Sequence, residues 1–175
     1  MDEIVELMPT PVARPWGGHS IAARYGWRAD AGGRPIGEWW LLACRENGPP
    51  GELSVVASGR HAGKTLRDLV RLEGRDLMGQ RFQSGDRFPI LVKLLDTADR
   101  LSVQLHPADR HLPGEGKTEA WYVLHAEPDG HLFLGLAAGV SLERFAAAEA
   151  GADVEPMLPR CSARAGQVAF LPATD

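Results

Sequence analysis

Apolar positions along the chain come in short runs broken by glycine and proline, a rhythm of strands rather than of long helices. Gly37-Glu38-Trp39-Trp40-Leu41-Leu42-Ala43 lies before Asn47-Gly48-Pro49-Pro50 and predicts a strand; residues 51–59, GELSVVASG, predict another. Residues 88–96, FPILVKLLD, are nearly all apolar, the pattern of a strand buried on both faces, with Pro89 near the start, where a strand tolerates it. Leu101 to His106 alternates: Leu101, Val103 and Leu105 share one face, Ser102, Gln104 and His106 the other. After a loop from Pro107 to Lys117, Thr118–His125, His131–Leu136, Leu158–Ala163 and Gly166–Pro172 read as further strands. Helical spacing is found twice. Leu66, Leu69 and Val70 follow Thr65, with Asp68 placed for a capping box and Gly74 as the stop. Ser141 to Ala150 predicts a second helix, capped by Ser141 and ended by Gly151. The opening PTPVARPWGGHSIAARYGW has no sustained period and reads as an extended arm.

Composition agrees with that rhythm. The 20 glycines and 13 prolines among 175 residues favour many turns, and the whole predicts a mainly β sandwich or barrel with helical decoration. The length suits one domain with its own core, over residues 1–175. A net charge of −4, with no basic stretch, argues against nucleic acid as a ligand. No apolar run approaches the roughly 18–20 residues that span a bilayer, and the acidic first ten residues do not resemble a signal peptide. No membrane association is expected. Cys44 and Cys161 fit two inert thiols in a reducing cytoplasm.

The polar face Ser102, Gln104, His106 is the most informative local feature. Residues i and i+2 of a strand lie about 7 Å apart, near enough to reach one metal ion or substrate. Imidazole is a favoured zinc ligand, and an amide oxygen is a weaker one. The spacing is equally that of a solvated face. Glu119 shares a face with Trp121, Val123 and His125, and a carboxylate on an apolar face needs a partner. A metal also held by Gln104 and His106 would supply one; so would a salt bridge to Lys117 or an arginine. Lys117, in a Gly116-Lys117-Thr118 loop, is either solvated or within reach of a bound anion. His125 lies about 20 Å further along the strand from Glu119, too far to share an ion. His19, His61 and His111 fall in polar or Gly-containing loops and are expected at the surface. No phosphate-binding glycine loop, dinucleotide fingerprint, H-E-x-x-H or G-x-S-x-G is found.

Four ordered blocks carry a resemblance. Trp16-Gly17-Gly18, then Ile36-Gly37-Glu38-Trp39-Trp40, then residues 88–96 with Leu101-Ser102-Val103-Gln104-Leu105-His106-Pro107, then residues 116–124, GKTEAWYVL, together resemble the type I mannose-6-phosphate isomerases. The resemblance implies a cupin-type jelly-roll barrel with one zinc ion per chain, interconverting mannose 6-phosphate and fructose 6-phosphate. It implies Gln104, His106 and Glu119 as metal ligands and Ser102 and Lys117 as lining the substrate pocket. Lys117 is then placed to assist proton transfer between oxygens or to pair with the phosphate. The resemblance departs at the end. Gly166 to Pro172 fits the family's strand G-x-x-x-x-x-P-x-G-x-x-H, but Thr174 takes the place of the glycine. Asp175 then ends the chain two residues short of the histidine, and the family's second half, with its catalytic arginine, is missing. The expectation is accordingly of a cupin-like domain incomplete at its C-terminus. The alternative to the isomerase is a non-catalytic domain that binds sugar phosphates or a protein partner. A metal-dependent cupin oxygenase would more typically carry a histidine in place of Gln104.

Overall fold

The computed structural model describes residues 4–29, 31–45, 53–83, 88–104, 106–108, 110, 116–148 and 152–173 of the 175. Contacts divide the chain into two compact units, Met1–Ser102 and Val103–Asp175. The most deeply buried run of the first unit is its central strand. Strand β1 (Thr10–Gly18), helix α1 (Ser20–Tyr25), β2 (Ile36–Leu42), α2 (Leu66–Met78) and β3 (Val92–Leu95) follow in order, and the strands pair antiparallel as β1-β2-β3. With a ladder on each side, β2 is buried from Ile36 through Trp40. Trp39 packs with Ile21 and Ile36, flanked by Trp27, Leu94 and four alanines, and Tyr25 stacks on Trp27 from outside.

Two close approaches shape this sheet. Gly17 lies against the backbone of Gly37, and Gly37 against Arg14 and Trp16, so a Cβ at either position would strike its neighbours. The register of β1 slips between Ala13 and Gly18 at that point. Beyond the slip, Asp96 is buried, and its carboxylate accepts a 2.8 Å hydrogen bond from the Ile21 N–H at the start of α1. The N-cap His19 gives no side-chain bond, so α1 is capped from 75 residues away. The predicted arm is therefore a strand followed by a helix, both fixed by distant partners. Ser54, fully buried, ties the remaining parts: it exchanges backbone bonds with Ala43 and Leu66, and its hydroxyl accepts from the Ala43 N–H.

The capping box is present: Thr65 Oγ1 accepts from the Asp68 N–H at 3.1 Å, and Asp68 accepts from the Thr65 N–H at 3.0 Å. Gly74 does not stop the helix. The backbone kinks at Glu73 (φ −134°, ψ 28°) and continues to Met78, because Gly74 is where the Phe82 ring packs on the helix, with no room for a Cβ. His61 is a second correction. Its side chain is only 13% exposed, with Nε2 3.0 Å from Glu73 Oε1. His19 is exposed, as expected, and His111 lies outside the described residues. Residues 88–96 are not a strand buried on both faces. Only Val92–Leu95 pairs, as the edge strand β3, and Ile90, Leu91 and Val92 are exposed at 58%, 42% and 42%. Residues 53–56 contribute only isolated bridges, while 51–52 and the bounding turn at 46–50 lie outside the described residues.

The second unit holds β4 (Glu119–Tyr122), β5 (His131–Phe133), α3 (Leu142–Ala146), a 3-10 turn (Glu155–Met157), β6 (Arg160–Ser162) and β7 (Val168–Leu171). β4 pairs antiparallel with β7, and β5 with β6. Each expected strand is present but shorter, as is α3. Ser141 caps α3 through the Arg144 N–H, and the helix ends at Ala147 rather than at Gly151, which lies outside the described residues. On β4 and β7, Tyr122, Val168 and Phe170 face outward and are exposed. Leu101–Gln104 and His106 belong to no strand, and the division between units falls after Ser102. The alternating pattern has the right period there but no ladder partner among the described residues. Cys44 and Cys161, both half-buried and in different units, form no disulfide.

One charged group stands inside the first sheet. Glu38 Oε2 accepts from Arg14 (2.9 Å) and from Trp40 Nε1 (3.0 Å), and Oε1 accepts from Lys93 (3.0 Å). Burial alone would raise its pKa; the Trp40 hydrogen bond and the two cations outweigh it and hold the carboxyl below its ordinary 4.5. A depressed folded pKa makes this stabilisation complete above the unfolded value and lost as pH falls through the folded one. Glu38→Gln is expected to cost about 2 kcal/mol at pH 7, less than a fully buried pair because Arg14 and Lys93 keep contact with water. It should also flatten the acid limb of stability below pH 5. Urea unfolding of both proteins between pH 3 and 7 checks this; identical curves would exclude it.

Candidate functional site

β4 sets Glu119 and Trp121 two residues apart on its half-buried face, while Ala120 and Tyr122 point outward. Opposite them on β7 stand Leu171 and the buried Ala169. The preceding chain is brought beside β4 by one backbone bond, from the Lys117 N–H to the Pro107 carbonyl at 3.0 Å. That bond sets His106 and Lys117 next to Glu119.

Four side chains converge there. His106 Nε2 lies 2.9 Å from Glu119 Oε2, and Trp121 Nε1 donates to the same oxygen at 3.1 Å. The Lys117 ammonium lies 3.2 Å from Glu119 Oε1 and donates to Gln104 Oε1 at 2.5 Å. His106 and Glu119 are largely buried, their side chains 11% and 20% exposed; Lys117 is half open at 38%. Burial opposes the charge on Glu119, but the hydrogen bonds from His106, Trp121 and Lys117 and the lysine's charge hold its pKa down at about 2.

Three donor atoms of different kinds, an imidazole nitrogen, a carboxylate oxygen and an amide oxygen, therefore meet in one place. The Lys117 ammonium sits between the two oxygen donors. Imidazole, carboxylate and amide oxygen are donor types that divalent cations accept. Among the described residues no three His, Cys, Asp or Glu side chains group into a metal site.

Of the residues singled out from the sequence, Gln104, His106, Lys117 and Glu119 come together in the second unit. Ser102 is an exposed residue of the first unit and is not one of the four. Of the anticipated partners of Glu119 the lysine is present, and His106 contacts the carboxylate directly, a contact not anticipated from the sequence. His125 is exposed and pairs with Glu127, away from the cluster. Trp121 was missed: an indole beside a carboxylate reads as core in a hydrophobic pattern, and only the i, i+2 spacing from Glu119 pointed to it.

The family model for the catalytic domain of type I phosphomannose isomerase matches residues 4–131. The mannose-6-phosphate isomerase ManA of Bacillus subtilis is 36% identical over 165 residues, covering 91% of this chain and 49% of its own. The mannose-6-phosphate isomerase of Streptococcus mutans is 34% identical over 162 residues, covering 90% and 48%. The crystal structure of the mannose 6-phosphate isomerase from Bacillus subtilis superposes with a TM-score of 0.80 at 29% identity, over 97% of this chain and 52% of that one. The chain thus has the mainly β, cupin-like fold of that structure, and it spans about half the length of the curated relatives it matches.

The hydrogen bonding of Glu119 has a measurable consequence in metal-free protein. Its stabilising charge is complete above the ordinary 4.5 and is lost only as pH falls toward about 2. In chelator-treated protein the Glu119 carboxyl carbon should keep its ionised chemical shift down to about pH 3. A midpoint at or above 4.5 would contradict the geometry.

Proposed function

The chain belongs to the type I phosphomannose isomerase family, and on that premise we propose that it interconverts mannose 6-phosphate and fructose 6-phosphate with one zinc ion. Gln104, His106 and Glu119 hold the metal; Lys117 acts on the substrate; Ser102 contributes to binding the sugar phosphate. The single observation that supports this reading is the convergence of Gln104, His106, Lys117 and Glu119. Among the described residues no helix is long and apolar enough to cross a membrane, and we place the reaction in the cytoplasm.

The isomerisation moves a proton between C1 and C2 while negative charge grows on the neighbouring oxygens. A zinc ion bound here supplies a Lewis acid for those oxygens. The chain's own residues do the rest. Glu119 and Gln104 fix the Lys117 ammonium from two sides, which leaves a donor to point at a substrate oxygen. From there Lys117 either passes a proton between the sugar oxygens or pairs with the phosphate. His106, largely buried, presents Nε2 inward, and Glu119 on β4 gives the centre its negative charge.

Purified protein should carry one zinc by elemental analysis, and His106→Ala and Glu119→Ala should each abolish it. Zinc retained at full stoichiometry in both would overturn the ligand assignment. A coupled assay should detect fructose 6-phosphate formation, with Lys117→Met losing roughly 10²–10⁴ in kcat while keeping its metal. Zinc-loaded protein without any turnover would favour the non-catalytic sugar-phosphate-binding reading.

A further inference from the structure

The chain builds the same device twice. On β2, Trp40 Nε1 donates to Glu38 Oε2 at 3.0 Å from two residues along the strand; on β4, Trp121 Nε1 donates to Glu119 Oε2 at 3.1 Å. In both, a lysine holds the other oxygen: Lys93 at 3.0 Å from Glu38 Oε1, Lys117 at 3.2 Å from Glu119 Oε1. In both, a third nitrogen faces Oε2 at 2.9 Å, from Arg14 in the first and His106 in the second. The last partner is the difference that matters. Around Glu38 two permanent cations more than balance one carboxylate, and another cation would be repelled. Around Glu119 one lysine balances it, and the third partner is an imidazole, a side-chain type that ligates metals when neutral, rather than a second permanent cation.

We infer that Trp121 is a positioning residue of the proposed metal site, its indole N–H holding the Glu119 carboxylate in the orientation a divalent cation requires. The inference rests on the metal-binding reading given above. A carboxylate at the end of a flexible side chain turns about its last bonds, and a charged partner could restrain it only by competing with the metal. Indole restrains it without adding charge: it donates one N–H, accepts nothing and cannot ionise. The strand spacing makes the restraint rigid, since both side chains leave the same face of β4. Outer hydrogen bonds to metal-binding carboxylates typically account for a tenfold to hundredfold share of affinity.

The test uses zinc alone, with affinity read by competition against a chromophoric chelator. Trp121→Phe keeps an aromatic ring and removes the N–H; its zinc dissociation constant should rise roughly tenfold to a hundredfold over the wild type. Trp40→Phe removes the twin N–H and should leave zinc affinity unchanged while lowering stability. In the intact chain, the Trp121 indole N–H resonance should move with one equivalent of zinc while that of Trp40 stays in place, a readout that needs no variant to fold. A Trp121→Phe affinity equal to wild type, an equal loss in Trp40→Phe, or an unmoved Trp121 resonance at saturation would overturn the inference and leave the metal site standing. A wild-type chain that takes up no zinc would overturn both.

Discussion

A carboxylate withdrawn from water must be given back its hydrogen bonds and its countercharge, and each unit of this chain is arranged around one such debt. In the first, Glu38 occupies the most buried strand and is answered from both neighbouring strands, by Arg14 on β1 and Lys93 on β3. The ion pairs therefore cross the sheet from both sides and favour its observed strand order. In the second, Glu119 is answered from the chain just before its strand. There the burial is shallower, and a single lysine balances the carboxylate, with an imidazole in place of a second permanent cation. On the proposed function, that difference separates a structural charge from one that takes part in chemistry.

Local signals were legible where the partners lie close in sequence. The Thr65–Asp68 box and the Ser141 cap form within three residues, and both helices start where those residues predict. β2 was legible because its bulk and flanking glycine are intrinsic to the run. The cluster at residues 104–119 was legible too: histidine, amide, lysine and carboxylate occur there in one short stretch.

What escaped the sequence depends on distant partners. α1 is only six residues long and borrows its cap from Asp96. The apolar run at 88–96 promised two covered faces, yet it lies at a sheet edge, and composition does not say which strands will have neighbours. His61 sits in a polar turn that folds back onto the kinked helix, a closure set by Glu73 twelve residues later. The alternation from Leu101 to His106 has a strand's period without a ladder among the described residues, for a ladder is a property of two segments and a pattern of one.

The paired glutamate and tryptophan of β2 and β4 carry a genetic consequence. Tryptophan has a single codon, UGG, and every one-base change in it yields arginine, glycine, cysteine, serine, leucine or a stop. None of these keeps a flat aromatic surface with a neutral N–H at its rim. Both clamps are thus one nucleotide from loss, and no single step leads to a near-equivalent. The architecture is tolerant along its exposed edges and brittle at Trp40 and Trp121.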